Sequence, residues 1–248
     1  MKFSYTLTAT AIALSALAGN VFADTIKISG ASTVFNVVVQ GAKDKVEKAT
    51  GHTLQVVSSA TGKGLVDLFD GAVDIAMVSE PMDIAGEAAE AAGKKIDTKA
   101  VTVFELKKDE IVFVVHPSNP VSKLSWDQVK DIHTGKINNW KAVGGADKPI
   151  VLYADSVTGG TRAMIHQILM GKADWAPGTK SQSSVKRAAE MVAGDEAGIA
   201  GVGKGFVEAG KEKIIDTKKF ERPLTLVTKG APNAAQKAVI DAFIKEAK

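Results

Sequence analysis

The sequence predicts an α/β fold of two lobes that share strands at a hinge. Three observations carry that prediction. From Thr25 to Gly93, short β-rich runs alternate with amphipathic helical stretches, the pattern of βαβ units and a mainly parallel sheet. The pattern changes at His116-Pro117-Ser118-Asn119-Pro120 and returns after Pro223, so the chain leaves a first lobe and re-enters it. No low-complexity linker divides the halves, and strands running through both lobes make one unnecessary.

The elements follow in order. Thr25–Ser29 reads as a strand ending at Gly30, and Thr33–Ala49 as a helix capped by Ser32 and closed by Gly51. Thr53–Ser58 is a strand, Gly62–Phe69 a helix, Val73–Val78 a buried strand and Ile84–Ala92 a helix ending at Gly93. Val101–Leu106 and Glu110–Val115 read as two strands parted by a charged turn, Lys107-Lys108-Asp109. Trp126–Ile132 is a short helix with Ser125 as its cap. Ile150–Tyr153, Ile199–Val202 and Leu224–Val227 are strands; Thr161–Met170, Ser184–Ala193 and Ala234–Ala247 are helices. The expected crossovers are Glu110–Val115 and Leu224–Val227, and the last helix is expected on the first lobe. Lobe 1 then covers residues 24–112, completed by 224–248, and lobe 2 covers 113–223.

Composition narrows the function. Of 248 residues, 45% are hydrophobic and 24% charged, which sets aside disordered and fibrous classes. The net charge of +3 is dispersed, with no basic block or stripe, so no nucleic-acid partner is expected. The absence of cysteine removes disulfides, thiol catalysis and Cys-ligated metals. Met1–Ala23 reads as an export signal: Lys2 is its charge, Leu7–Leu17 its apolar stretch and Val21-Phe22-Ala23 its cleavage site. The apolar stretch falls short of the roughly 20 residues that span a bilayer. The expectation is an exported protein released in soluble form, with no cysteine to carry a lipid.

Three strand-to-helix junctions are rich in hydroxyls and glycine: Ser29-Gly30-Ala31-Ser32-Thr33, Ser58-Ser59-Ala60-Thr61-Gly62-Lys63-Gly64, and Asp155-Ser156-Val157-Thr158-Gly159-Gly160-Thr161-Arg162. In a parallel sheet such junctions gather at the strands' carboxyl ends, where ligands bind. Free N–H groups and the helix dipole favour an anion there. Each junction taken singly is equally well read as ordinary helix capping. Ser79-Glu80 ends another strand, and an acid beside an anion site makes sense if it accepts a proton from the ligand. Arg162 stands in the first turn of a helix, where a cation opposes the dipole, and this points to an anionic partner or a surface ion pair. Gly198–Lys204 approximates a phosphate loop, but Gly205 stands where Ser or Thr is required. The four histidines have no metal-ligand spacing, and Trp126, Trp140 and Trp175 read as packing in the second lobe. No cofactor and no catalytic residue are expected.

The run from Asn119-Pro120 through Asn139-Trp140 to Gly144-Gly145 resembles the phosphate-binding protein family of ABC transporters. So do Gly30–Phe35, Ala60–Gly64 and Val73–Glu80, in the same order along the chain. The resemblance implies a two-lobed periplasmic binding fold, type II-like, that closes on a dehydrated oxyanion by hinge motion. It implies ligand contacts from Ser32, Thr33, Thr61, Gly62, Ser79, Glu80, Thr158, Gly159, Gly160, Thr161 and Arg162. Glu80 replaces a proton-accepting Asp, and Gly159-Gly160-Thr161 replaces Ser-Gly-Thr, with Thr158 as the substitute hydroxyl. Tyr153 stands near the place of a ligand-binding Arg, and Arg162 is the alternative source of charge. The partners implied are inorganic phosphate or a related oxyanion and an inner-membrane ABC permease. Another small organic anion, or a sensor or adhesion module on the same fold, is the rival reading.

Overall fold

The computed structural model describes residues 24–248, so the expected export signal, Met1–Ala23, lies outside the described residues. The first lobe opens with β1 (Thr25–Ala31), α1 (Ser32–Val34), a π-helical turn (Phe35–Val39) and α2 (Gln40–Thr50). It continues with β2 (Thr53–Ser59), α3 (Thr61–Phe69), β3 (Ile75–Val78) and α4 (Met82–Ala91). β4 (Val101–Val115) then leads to α5 (Trp126–His133), β5 (Val151–Ala154), α6 (Gly160–Met164) and a second π-helical turn (Ile165–Leu169). The rest is β6 (Lys180–Ser181), α7 (Val185–Ala193), β7 (Gly198–Gly203), β8 (Lys213–Ile214), β9 (Phe220–Lys229) and α8 (Ala234–Glu246).

These strands join in the order β2-β1-β3-β9-β4-β7-β5-β6, with β8 beside β4. The outer pairs are parallel: β1 with β2 and β3, and β5 with β6 and β7. The expectation of a mainly parallel sheet fails at the centre, where β9 runs antiparallel to β3 and β4, and β4 antiparallel to β7. β4 and β9 pair from Val101–Lys229 to Ile111–Phe220 and form the two long crossovers. β4 is one 15-residue strand, not two. Lys107-Lys108-Asp109 looks like a turn because its charges are consecutive, but a register shift between Glu105 and Lys107 accommodates it within the ladder.

Each lobe has its own apolar interior. In the first, Ile26, Ile28 and Met77 of the sheet meet Val34, Val39 and Val46 on one face. Val239, Ile240 and Phe243 of α8 join that cluster, so the last helix docks on the first lobe. The other face packs Leu65, Leu68, Ala85 and Ala89 on Ala76 and Val78. In the second lobe Phe113, Val129, Ile132, Trp140 and Ile199 form one cluster, and Val112, Ala188, Val192 and Val202 another. All three tryptophans belong to this lobe's packing; the Trp140 indole N–H donates to the Ala197 carbonyl at 2.9 Å.

A fifth cluster joins the lobes. Ile84 and Ala88 of α4 pack against Ala163 and Met164 of α6, with Ile111 of β4 beneath. At its edge the Glu87 carboxylate meets His166 Nδ1 at 2.5 Å and accepts from the Gln167 amide at 2.6 Å. Cutting the fully buried Phe243 to alanine removes the ring that anchors α8. Phe243→Ala should lower stability by about 3–5 kcal/mol, read from the midpoint of urea unfolding.

Candidate functional site

The cleft between the lobes is narrow, about 260 Å³ including its open mouth. Its walls are Ala31, Ser32 and Thr33 where β1 passes into α1, Ser59, Ala60 and Thr61 where β2 passes into α3, and Ser79 after β3. From the second lobe come Asp155, Ser156, Gly159, Gly160 and Thr161 after β5, with Ser183, Ser184 and Val185 at the start of α7.

Three of the helices that begin here lack a side-chain cap from the preceding residue, as does α4, which follows Pro81. α5, α7 and α8 start with side-chain caps from Ser125, Ser184 and Asn233. The residues before α1, α3 and α6 are Ala31, Ala60 and Gly159, and none supplies a cap. Ser32 is the first residue of its helix and not the expected cap. Apart from the Gly62 amide, which donates to the Thr158 carbonyl, the first N–H groups of α1 and α3 and that of Gly160 face the cleft without a side-chain cap from the preceding residue, and the dipoles favour negative charge there.

Behind the cleft lies one buried cation. Arg222 on β9 faces Asp109 on β4 in register, and its Nε and one terminal nitrogen donate to Asp109 Oδ2 at 2.9 and 2.7 Å. The other terminal nitrogen donates to Thr161 Oγ1 at 2.5 Å, and the terminal nitrogen bound to Asp109 also donates to Thr33 Oγ1 at 3.4 Å. One guanidinium therefore touches a cleft hydroxyl of each lobe. Gly203 of β7 makes room, since a Cβ there would lie 2.5 Å from the guanidinium and 2.6 Å from Asp109 Oδ2.

Two carboxyls complete the setting. Glu80 is 1% exposed and sits behind the lining, where its Oε2 accepts from the Thr61 hydroxyl, the Ser79 hydroxyl and the Ser79 amide, each at 3.0 Å. Its Oε1 is buried without a partner. Burial raises the Glu80 pKa to about 7 against the opposing pull of those hydrogen bonds and of Arg222. Asp155 is 4% exposed and lines the cleft directly. Burial raises its pKa to about 7 as well, opposed by Arg222 and Arg162.

The third loop is pressed onto these acids. A Cβ on Gly159 would lie 2.0 Å from Asp155 Oδ2, and one on Gly160 1.7 Å from Glu80 Oε2. This gives a physical reason for glycine at 159, where the resembled family carries serine.

Of the expected site residues, Ser32, Thr33, Thr61, Ser79, Gly159, Gly160 and Thr161 line one cleft. Gly62 does not; its amide donates to the Thr158 carbonyl at 3.1 Å, across the lobes. The Thr158 hydroxyl is 2.9 Å from that of Ser156, so Ser156 and not Thr158 presents oxygen to the cleft. Arg162 turns the other way: its guanidinium stacks over Trp175 at 4.4 Å and borders a separate depression with Glu87 and His166. Tyr153 donates its hydroxyl to Asp195 at 2.8 Å and takes no part in the lining. The expected contacts leave out Ser59, Asp155 and Ser156, although these stand in the junctions the sequence marks, and they miss Ser183 and Ser184 on the walls and Arg222 behind them. Asp155 was open to view as the acid ending a strand before a glycine loop; Arg222 had only the rarity of arginine to mark it.

A model of the PBP superfamily domain matches residues 18–244. The chain belongs to the PBP superfamily. Among relatives of this PBP superfamily chain is a phosphate-binding protein PstS of Bacillus subtilis, 32% identical over 159 residues, which are 64% of the chain and 50% of that protein. A phosphate-binding protein PstS of Staphylococcus saprophyticus is 27% identical over 199 residues, 78% of the chain and 60% of its own length. The matched part thus spans about half to three fifths of these relatives. The fold matches, with a TM-score of 0.76 and 23% identity, the crystal structure of a putative phosphate ABC transporter substrate-binding protein with bound phosphate from Clostridium perfringens; the match covers 88% of the chain and 92% of that one.

Two outcomes test this geometry. Arg222→Ala leaves Asp109 buried and unpaired, and should cost about 3–5 kcal/mol in denaturant unfolding. Glu80 and Asp155 hold protons more tightly folded than unfolded between about pH 4 and 7, so their contribution to stability falls as pH rises through that window. Buried His133, whose pKa is lowered to about 4, acts in the opposite sense as pH falls. The comparison of wild type with Asp155→Asn isolates the carboxyl: the variant's melting temperature should decline less between those two pH values.

Proposed function

We propose that this protein is a periplasmic solute-binding protein that captures inorganic phosphate, or a related tetrahedral oxyanion, and delivers it to an inner-membrane ABC permease. The observation that carries the reading is the convergence of three uncapped helix starts on one narrow cleft backed by Arg222. A small anion would satisfy the free N–H groups of both lobes at once and hold the lobes together. The names of the relatives and of the fold neighbour support phosphate as the first ligand to try.

In this reading residues 1–23 direct export and are removed. Lobe 1 comprises 24–112 and 224–248, lobe 2 comprises 113–223, and the protein acts as a monomer. No helix among the described residues is long and apolar enough to cross a membrane, which accords with a released binding protein. Its work is binding and release, without chemistry on the ligand. Ser32, Thr33, Thr61, Ser79, Gly160 and Thr161 are the proposed direct contacts, with Glu80 acting from behind Thr61 and Ser79.

Isothermal titration at neutral pH with phosphate, sulfate and a small carboxylate tests the reading. Phosphate should bind and the others should bind far more weakly; heat from the carboxylate alone would overturn phosphate as the ligand. Thr161 keeps its hydroxyl proton for the ligand because its oxygen already accepts from Arg222. Thr161→Ala should therefore weaken phosphate binding by about 1–3 kcal/mol.

A further inference from the structure

Among the described residues, the ion pairs that reach from one lobe to the other mostly use the strands both lobes share. Lys108–Glu221, Lys204–Glu110, Lys219–Glu110 and Arg222–Asp109 each involve a residue of β4 or β9. The pair of Glu87 with His166 does not. Glu87 is on α4 of the first lobe, and His166 and Gln167 are consecutive residues of the π-helical turn that continues α6 in the second. Both oxygens of one carboxylate are engaged: Oε1 meets His166 Nδ1 at 2.5 Å, and Oε2 accepts from the Gln167 amide at 2.6 Å. A carboxylate only accepts, so the ring presents Nδ1–H to it. The contact is sheltered, with the Glu87 side chain 34% and that of His166 24% exposed, and it borders the apolar junction of Ile84 and Ala88 with Ala163 and Met164. Neither Glu87 nor its two partners line the ligand cleft.

Glu87 and its partners are tied to opposite walls of that cleft. α4 begins just after Ser79, Glu80 and Pro81, so Glu87 moves with the wall they form. α6 begins with Gly160 and Thr161, so the π-helical turn moves with the third loop. The two walls touch where Gly160 lies against Glu80, and the Gly62 amide donates across them to the Thr158 carbonyl at 3.1 Å. A hinge motion that parts these walls must pull Glu87 from both partners, whereas pairs on β4 and β9 can bend with the hinge. Resting on the hinge-closure reading above, we propose that Glu87 is a positioning residue, a clamp that sets the balance between closed and open lobes, and with it the rate of ligand release, without touching the ligand. Escape requires the open form, so bonds made only in the closed form slow release. On opening, the carboxylate and its partners return to water, and only the net of that exchange counts. For two bonds to one half-sheltered charge it amounts to about tenfold in the closed-to-open ratio.

The chain has no cysteine, so a pair of spin labels can be attached without background, at the exposed Ala49 of α2 and the exposed Ala142 of the second lobe. Pulsed electron resonance on the full protein, with no phosphate added, reads the distribution of distances between the lobes. Glu87→Ala places a strong helix former in α4 and should lower the closed share relative to the open one by about tenfold. Release of inorganic phosphate, followed by stopped flow, should be about tenfold faster, with the preference over sulfate and the urea midpoint close to those of wild type. His166→Ala combined with Gln167→Ala should give the same result, and adding Glu87→Ala to that pair should change nothing further, because all three act through one contact. Unchanged distances and release in Glu87→Ala, or additive effects in the triple variant, would overturn the clamp. A wild type that binds no phosphate would sink the phosphate reading alone, since the label distances still decide whether Glu87 holds the lobes together.

Discussion

The guanidinium of Arg222 sits where the two crossovers, both lobes and the cleft meet. Its charge is taken out of water entirely, a placement that is tolerable only when a counter-charge lies in contact and hydrogen bonds replace those lost to water. Asp109 supplies the counter-charge from the neighbouring strand and accepts two of the N–H donors, and Thr33 and Thr161 accept one each. The β4–β9 register is thus tied to the site, because a one-residue slip would turn either partner to the opposite face.

The two lobes present matching devices to this centre. In each, a strand leads to a helix whose first turn lines the cleft, at once from β1 to α1 and through the loop of residues 155–159 from β5 to α6, and a π-helical turn continues the helix: Phe35–Val39 after α1 and Ile165–Leu169 after α6. Such turns are frequent at functional sites. α5, α7 and α8 close their starts with Ser or Asn, while α4 opens after Pro81 without a cap. Helix starts without a side-chain cap at the cleft cost stability that an occupant of the cleft can restore.

Much of this was legible because it is local. The strand-to-helix junctions announce themselves through glycine and hydroxyl residues, and Ser125 and Ser184 mark their helices by capping chemistry that acts over three residues. What failed was the non-local part. Lys107-Lys108-Asp109 looks like a turn until its pairing strand, more than a hundred residues away, is known to run alongside. Arg162 drew attention by lying next to the third loop, yet helical geometry carries its side chain to Trp175. Arg222 is remote from every ligand loop in the chain, and only the register of β9 on β4 brings it to two of them. Glu80 was correctly marked as the acid at the end of β3, but no pattern along the chain says that Thr61 and Ser79 stand in front of it.

The contact between the third loop and the two acids links substitutions that would otherwise be independent. With Asp155 and Glu80 in place, Gly159 and Gly160 have no room for even a methyl group. A serine cannot enter at 159 until Asp155 withdraws, and a side chain cannot enter at 160 until the acid at 80 is shortened. Single exchanges in either direction pass through a clash or a void, so the loop and its acids can be rewritten only in pairs. An attempt to move this cleft to another ligand by scanning one position at a time would find Gly159 and Gly160 closed to any side chain, although each clash eases once the acid in front of it is changed as well.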